Sequence, residues 1–164
     1  MNVNPDYKKL AAIKKHFEGF KANAYQDSGG VWTVGFGSTY HFTKGRKVQK
    51  GDYLTEDEAI KFMERETENV RKQLNYYIKK PLNFDQSAAI MDYVYNRGIG
   101  NFLKTKLDEL INANPNDPAI AKEIIGTGLK DRAGNLLWGL GRRRRAEAHL
   151  YTTGGLKFDW PKWG

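Results

Sequence analysis

Residues 24–40 read Ala-Tyr-Gln-Asp-Ser-Gly-Gly-Val-Trp-Thr-Val-Gly-Phe-Gly-Ser-Thr-Tyr. Two β-prone runs flank Ser28-Gly29-Gly30, which is the pattern of a β-hairpin. Most of the chain around this stretch carries helical spacing, so the hairpin must form a small β-lobe set among helices. That combination predicts an α+β fold in which the small β-lobe joins a larger all-helical lobe. The expected boundaries are about 20–55 for the β-lobe, with 1–19 and 56–164 helical, in one domain spanning 1–164.

The helical reading rests on particular residues. Asn4 is a candidate N-cap with Pro5 at the first helical position. Tyr7, Leu10, Ile13 and Phe17 then share one face of a helix that should stop near Gly19. After the hairpin comes a basic loop with Lys44, Arg46, Lys47 and Lys50, with room for a short third strand. Thr55 and Glu58 make a capping box, followed by Ile60, Met63, Val70 and Leu74 until Pro81. Ser87 to Tyr95 is apolar almost all round, as in a helix buried at the centre of a domain. Asn101 is placed to cap a helix bearing Phe102, Leu103, Leu107, Leu110 and Ile111. Asp117-Pro118 opens another with Ile120, Ile124 and Ile125 inward, and a last helix runs from about Gly141 to Tyr151.

Composition removes several kinds of chemistry. There is no cysteine, which excludes disulfides, thiol nucleophiles and thiolate zinc sites. With 40% apolar and 28% charged residues and no long apolar run, the chain reads as neither disordered nor membrane-embedded. The net charge of +8 is uneven: residues 1–50 carry nine basic and three acidic groups, and residues 142–164 six and two, around a middle with twelve and fourteen. Basic ends point to an extended anionic partner, which nucleic acid, an anionic membrane and an acidic wall polymer would all satisfy. His16, His41 and His149 have no metal-ligand spacing, and Gly35-x-Gly37 lacks the third glycine and helix of a nucleotide fingerprint. No metal and no cofactor are expected.

Acid–base chemistry must then come from carboxylates, and the first fifty residues hold three: Asp6, Glu18 and Asp27. Asp6 suits the start of a helix. Glu18 lies at the other end, where the negative helix pole and the flanking Phe17 and Phe20 favour the protonated form that a general acid needs. Asp27, at the hairpin turn, should be solvated and ionised. Two carboxylates in contrasting settings are what cleavage of a glycosidic bond uses.

Glu18-Gly19, Tyr25-Gln26-Asp27 and Gly30-Val31-Trp32-Thr33-Val34-Gly35-Phe36-Gly37 together resemble the signature of the phage-type lysozymes, glycoside hydrolase family 24. In that family a catalytic Glu, Asp and Thr stand nine and then six positions apart, as Glu18, Asp27 and Thr33 do here. Tyr95-Asn96-Arg97-Gly98-Ile99-Gly100-Asn101-Phe102, with Thr105 and Leu107, is similar to the family's central segment. Gly139-Leu140, Arg143-Arg144 and Glu147 are similar to its closing one. Two positions depart: Ser38-Thr39 stand where many relatives have His-Thr, and Leu129 where lambdoid relatives often have Trp.

The resemblance implies hydrolysis of the β-1,4 bond between N-acetylmuramic acid and N-acetylglucosamine in peptidoglycan. It casts Glu18 as general acid, with Asp27 and Thr33 handling water. It further implies Thr39, Tyr95, Asn96 and Thr105 along the sugar cleft and Arg143 beside Glu18, leaving Arg144 and Arg145 as surface or ion-pairing groups. Trp32 should face the core. The run Arg142–Arg145 by itself suggests nucleic acid, but four consecutive helical residues point in four directions, so no nucleic-acid partner is expected. The tail Phe158-Asp159-Trp160-Pro161-Lys162-Trp163 is expected to fold back on the body. A monomer is expected, and a start without an apolar leader predicts no stable membrane association, with accumulation in the host cytoplasm and passage to the wall through a separate, holin-like membrane-lesion protein. The rival readings are a lytic transglycosylase, which needs one carboxylate and no positioned water, and a basic binding protein in which Glu18 is incidental.

Overall fold

The computed structural model describes residues 1–162. In chain order the elements are α1 (Tyr7–Phe17), β1 (Lys21–Gln26), β2 (Trp32–Gly35), β3 (Tyr40–His41), β4 (Arg46–Lys47), α2 (Glu56–Glu66), α3 (Glu68–Tyr77), α4 (Phe84–Arg97), α5 (Ile99–Lys104), α6 (Leu107–Ala113), α7 (Ala119–Gly126) and α8 (Trp138–Thr153). The α+β class and the separation of small β-lobe from helical body are as expected.

Helix α1 begins later than Asn4-Pro5. Its N-cap is Asp6, whose carboxylate accepts the Lys9 N–H at 3.1 Å. The preceding residues are instead tied to α4: the Asn4 N–H donates to Ser87 Oγ and the Asp6 N–H to the Phe84 carbonyl. That docking keeps Asn4 and Pro5 out of the helix. At the other end Gly19 adopts φ +90°, a conformation that lets the chain turn out of the helix into β1.

Strands β1 and β2 form the expected antiparallel hairpin, with Tyr25 opposite Thr33, Gln26 opposite Trp32, and a bulge between Lys21 and Tyr25. The turn is built by Asp27, whose Oδ1 accepts the N–H groups of Gly29 and Val31, both at 2.9 Å. The basic loop holds two short strands, β3 and β4, paired as a second hairpin. Arg46 grips the buried Asp52 carboxylate with two nitrogens at 2.8 and 2.9 Å, and Lys44 adds a third contact. The Arg46 guanidinium, the Gln49 N–H and Lys44 hold that carboxyl well below its usual range.

The capping box at the start of α2 is present on both sides. Thr55→Ala should cost about 1 kcal/mol, read as a lower thermal midpoint with unchanged secondary structure. The single helix expected up to Pro81 breaks at the buried Thr67, whose hydroxyl donates back to the Met63 carbonyl at 2.8 Å and separates α2 from α3.

Helix α4 runs through the centre, with Ala88, Ala89, Ile90, Met91, Tyr93 and Val94 buried against Leu10, Ile13, Phe102 and Leu150. Asn101 does not cap a helix. It lies inside α5, its amide donating to the Arg97 carbonyl, and the apolar residues assigned to one helix are divided between α5 and α6. The dividing turn is made by Thr105, whose Oγ1 donates to the Phe102 carbonyl and accepts the Leu107 N–H. Pro118 precedes α7 and the Asp117 carboxylate accepts the Ala119 N–H, and Ile120 and Ile124 are buried, but Ile125 is exposed. Helix α8 extends beyond its expected limits at both ends.

The tail returns to α1, as expected. The Phe158 ring stacks on His16 at 4.4 Å and 9°, with Phe17 edge-on, and Trp160 donates to the Lys157 carbonyl. Trp163 lies outside the described residues.

Candidate active site

Where α1 ends, its last residues meet the hairpin and α4. Glu18 is the C-cap of α1. With Gly19, Lys21, Tyr25, Gly35, Phe36, Gly37 and Tyr95 it lines a cleft of about 360 Å³ between the β-lobe and the helical body. Lys21 and Tyr25 both reach this cleft from β1 across the bulge between them. Gly35 brings β2 close to α2: it has φ +68°, and a Cβ there would lie 3.0 Å from the Ala59 Cβ.

On the helical side Glu18 faces Arg143, whose Nη1 lies 3.2 Å from Oε1. Arg143 is itself fixed from behind. Its Nε and Nη2 both donate at 2.8 Å to the carboxylate of Asp92, which is fully buried on α4. Burial opposes the Asp92 charge, but the Arg143 fork outweighs it and holds that carboxyl below its usual range. Of the two roles expected for Arg144, surface group or ion-pairing group, the second is found, with Glu147 as its partner. Arg144 is fully buried, bonding Glu147 at 2.8 Å and Asn96 Oδ1 at 2.7 Å, with its guanidinium over the Tyr93 ring. Gly128 permits this, since a Cβ there would lie 2.6 Å from Arg144 Nη1. Burial and the Asp92 charge push Glu147 well above the usual carboxylate range, so Asp92 is the ionised member of the pair.

The other residues singled out from the sequence are distributed as follows. Asp27 is exposed at the hairpin tip. Thr33 is buried, opposite Tyr25, and its hydroxyl donates to the Val31 carbonyl at 3.0 Å. Tyr95, partly exposed, joins Glu18 in the cleft wall. Thr39 belongs to a neighbouring depression of about 460 Å³ with Val31, Trp32, Tyr40, Lys47 and Val48. The side chains of Asn96 and Thr105 make internal bonds, to Arg144 and within the α5–α6 turn. Sequence reasoning missed Lys14, Lys21 and Asp92. Nothing local marks any of the three.

The sequence profile of the phage lysozyme family matches residues 15–147, a span that starts just before Glu18 and ends at Glu147. The chain belongs to the phage lysozyme family. It is thereby a lysozyme, a glycoside hydrolase whose substrate is peptidoglycan. It is 32% identical over 145 residues to an endolysin of Acyrthosiphon pisum secondary endosymbiont phage 1, covering 88% of this chain and 94% of that protein. The endolysin from Escherichia coli O157:H7 phage FAHEc1 superposes with a TM-score of 0.76 at 28% identity, covering 96% of this chain and 98% of that one. A mutant P22 lysozyme shares the fold, with a TM-score of 0.75 at 23% identity over 92% of this chain and 98% of that one. Among the described residues no helix of this lysozyme is long and apolar enough to cross a membrane.

Proposed function

We propose that this lysozyme cleaves the β-1,4 bond between N-acetylmuramic acid and N-acetylglucosamine, with Glu18 as general acid and Asp27 and Thr33 positioning the attacking water, residues 1–164 acting as one catalytic domain. The observation that carries the reading is the Glu18 carboxylate in the cleft wall, presented by the end of α1 and held from behind by the Asp92–Arg143 pair. A proton donor to the leaving oxygen has to be fixed in place, whereas its partner has to stay ionised and in reach of water. Exposed Asp27, rigidified by two backbone N–H groups, is in reach of water. Thr33 keeps acceptor capacity on its hydroxyl while donating to Val31. Tyr95 supplies an aromatic wall for the sugar, and the depression at Thr39 continues the path along the β-lobe. Arg143 supports Glu18, and Asn96, next to Tyr95 on α4, supports that wall through its bond to Arg144.

Digestion of purified peptidoglycan should release reducing muramic acid ends. Asp27→Asn should lower kcat by roughly 10²-fold or more at similar KM, because it weakens a contact made to the reacting water. Anhydro-muramic ends, with Asp27→Asn fully active, would move the chemistry to a transglycosylase.

The relative's role as a phage endolysin supports lysis of the host cell from within, by a monomer that passes a membrane lesion made by a separate, holin-like protein. Expression without a lesion protein should leave host cells intact until the membrane is permeabilised. Lysis by the chain alone counts against that route.

A further inference from the structure

One turn before Glu18 on α1 lies Lys14, whose side chain is completely buried. Among the described residues no hydrogen-bond partner reaches its Nζ. The ammonium sits 2.8 Å from the centroid of the Tyr95 ring, the same ring that forms the cleft wall opposite Glu18. Charged groups face it from each element packed around it: Glu18 on α1 itself, Glu66 at the end of α2, Asp92 on α4 and Arg143 on α8. Two cations, Lys14 and Arg143, thus stand among three carboxylates.

A lysine in this place is expensive for the fold. Burial is the strongest influence and brings the ammonium down to about 8, against the attraction of Glu18, Asp92 and Glu66. A methionine of similar length would fill the space under Tyr95 without a buried charge. Charges that cost stability and cluster at a cleft mark groups retained for function.

We propose that Lys14 is a positioning residue of the hydrolytic site: its buried ammonium braces the Tyr95 wall from beneath and sets the field in which Glu18 holds and returns its proton. The ring face attracts the cation and so orients Tyr95. A positive charge disfavours the protonated form of a nearby acid. This inference rests on Glu18 as general acid.

The test compares kcat against pH on soluble peptidoglycan fragments for wild type, Lys14→Met, Lys14→Leu and Glu18→Gln, with thermal unfolding of each. The two Lys14 variants should melt at or above the wild-type temperature. Their descending limb should move to higher pH, since a cation that attracts Glu18 has gone. A lysine that merely fills space would leave that limb unmoved, so an unchanged limb in folded Lys14→Met overturns the proposal. Failure of both Lys14 variants to fold overturns it as well, because the charge would then be a requirement of the fold. If Glu18→Gln stays active, the acid assignment and this inference fall together. If Glu18→Gln is dead and the Lys14→Met limb is unmoved, only the inference falls.

Discussion

Glu18→Gln should reduce hydrolysis by roughly 10²–10⁴-fold while leaving the protein folded, the range that loss of a placed proton donor produces. The amide keeps the shape of the carboxyl group but has no proton to deliver to the leaving oxygen. Little structural cost is expected, because the Glu18 side chain is 36% exposed and its pair with Arg143 is partly solvated. Arg143 keeps both of its bonds to Asp92 in the variant. Circular dichroism and the thermal midpoint should therefore match wild type within about 1 kcal/mol, while reducing-end release collapses. A folded Glu18→Gln protein with more than a tenth of wild-type kcat would remove Glu18 from the acid role.

The largest effect on stability should come from Asp92→Ala. Asp92 and Arg143 form a two-pronged pair with the carboxylate fully buried, and deleting it strands a guanidinium inside the protein. Removal of one partner from such a pair costs about 3–5 kcal/mol, which lowers the midpoint of a chain this size by about 10 °C. The double variant Asp92→Leu with Arg143→Met should regain much of that loss, because the stranded charge goes with its partner. Equal destabilisation of the single and double variants, measured by urea unfolding, would show that the pair is not a buried unit. Its pH dependence has a defined sign. Asp92 titrates lower in the folded chain than in the unfolded one, so its contribution is present above the unfolded carboxylate value and is lost as pH falls through the folded one. Glu147 titrates higher when folded, so its contribution is present below the unfolded value and fades as pH rises towards the folded one.

Local chemistry makes the hairpin, the Thr55–Glu58 box and the buried course of α4 legible in the amino-acid sequence, since each depends on residues within a few positions. Spacing and the motif around them single out Glu18, Asp27 and Thr33 in the sequence, and of the three Glu18 lines the cleft. Sequence and fold part company where distant contacts decide. Asn4 and Pro5 look like a helix start but are held out by Ser87 and Phe84. Thr67 sits in a run of good helix formers, and only its buried hydroxyl bond explains the break. Arg144 resembles any solvated arginine, yet Glu147, Asn96 and Tyr93 enclose it. Lys14 is hidden more deeply, for it lies among Lys8, Lys9 and Lys15, lysines with solvent access, and only the packing of α4 and α8 against α1 sets it apart.

That packing also has a consequence in time. Glu18 belongs to an early helix, while the arginine that faces it is made 125 residues later and the Phe158 ring that stacks on His16 later still. Because a ribosome builds the chain from the amino end, the acid exists long before its surroundings do. Chains stopped short of residue 143 carry Glu18 without the Asp92–Arg143 pair that holds it. Chains that end before α8 are therefore expected to lack hydrolytic activity, which digestion of peptidoglycan by a chain truncated before Arg143 would check. The distance along the chain between partners serves as a clock.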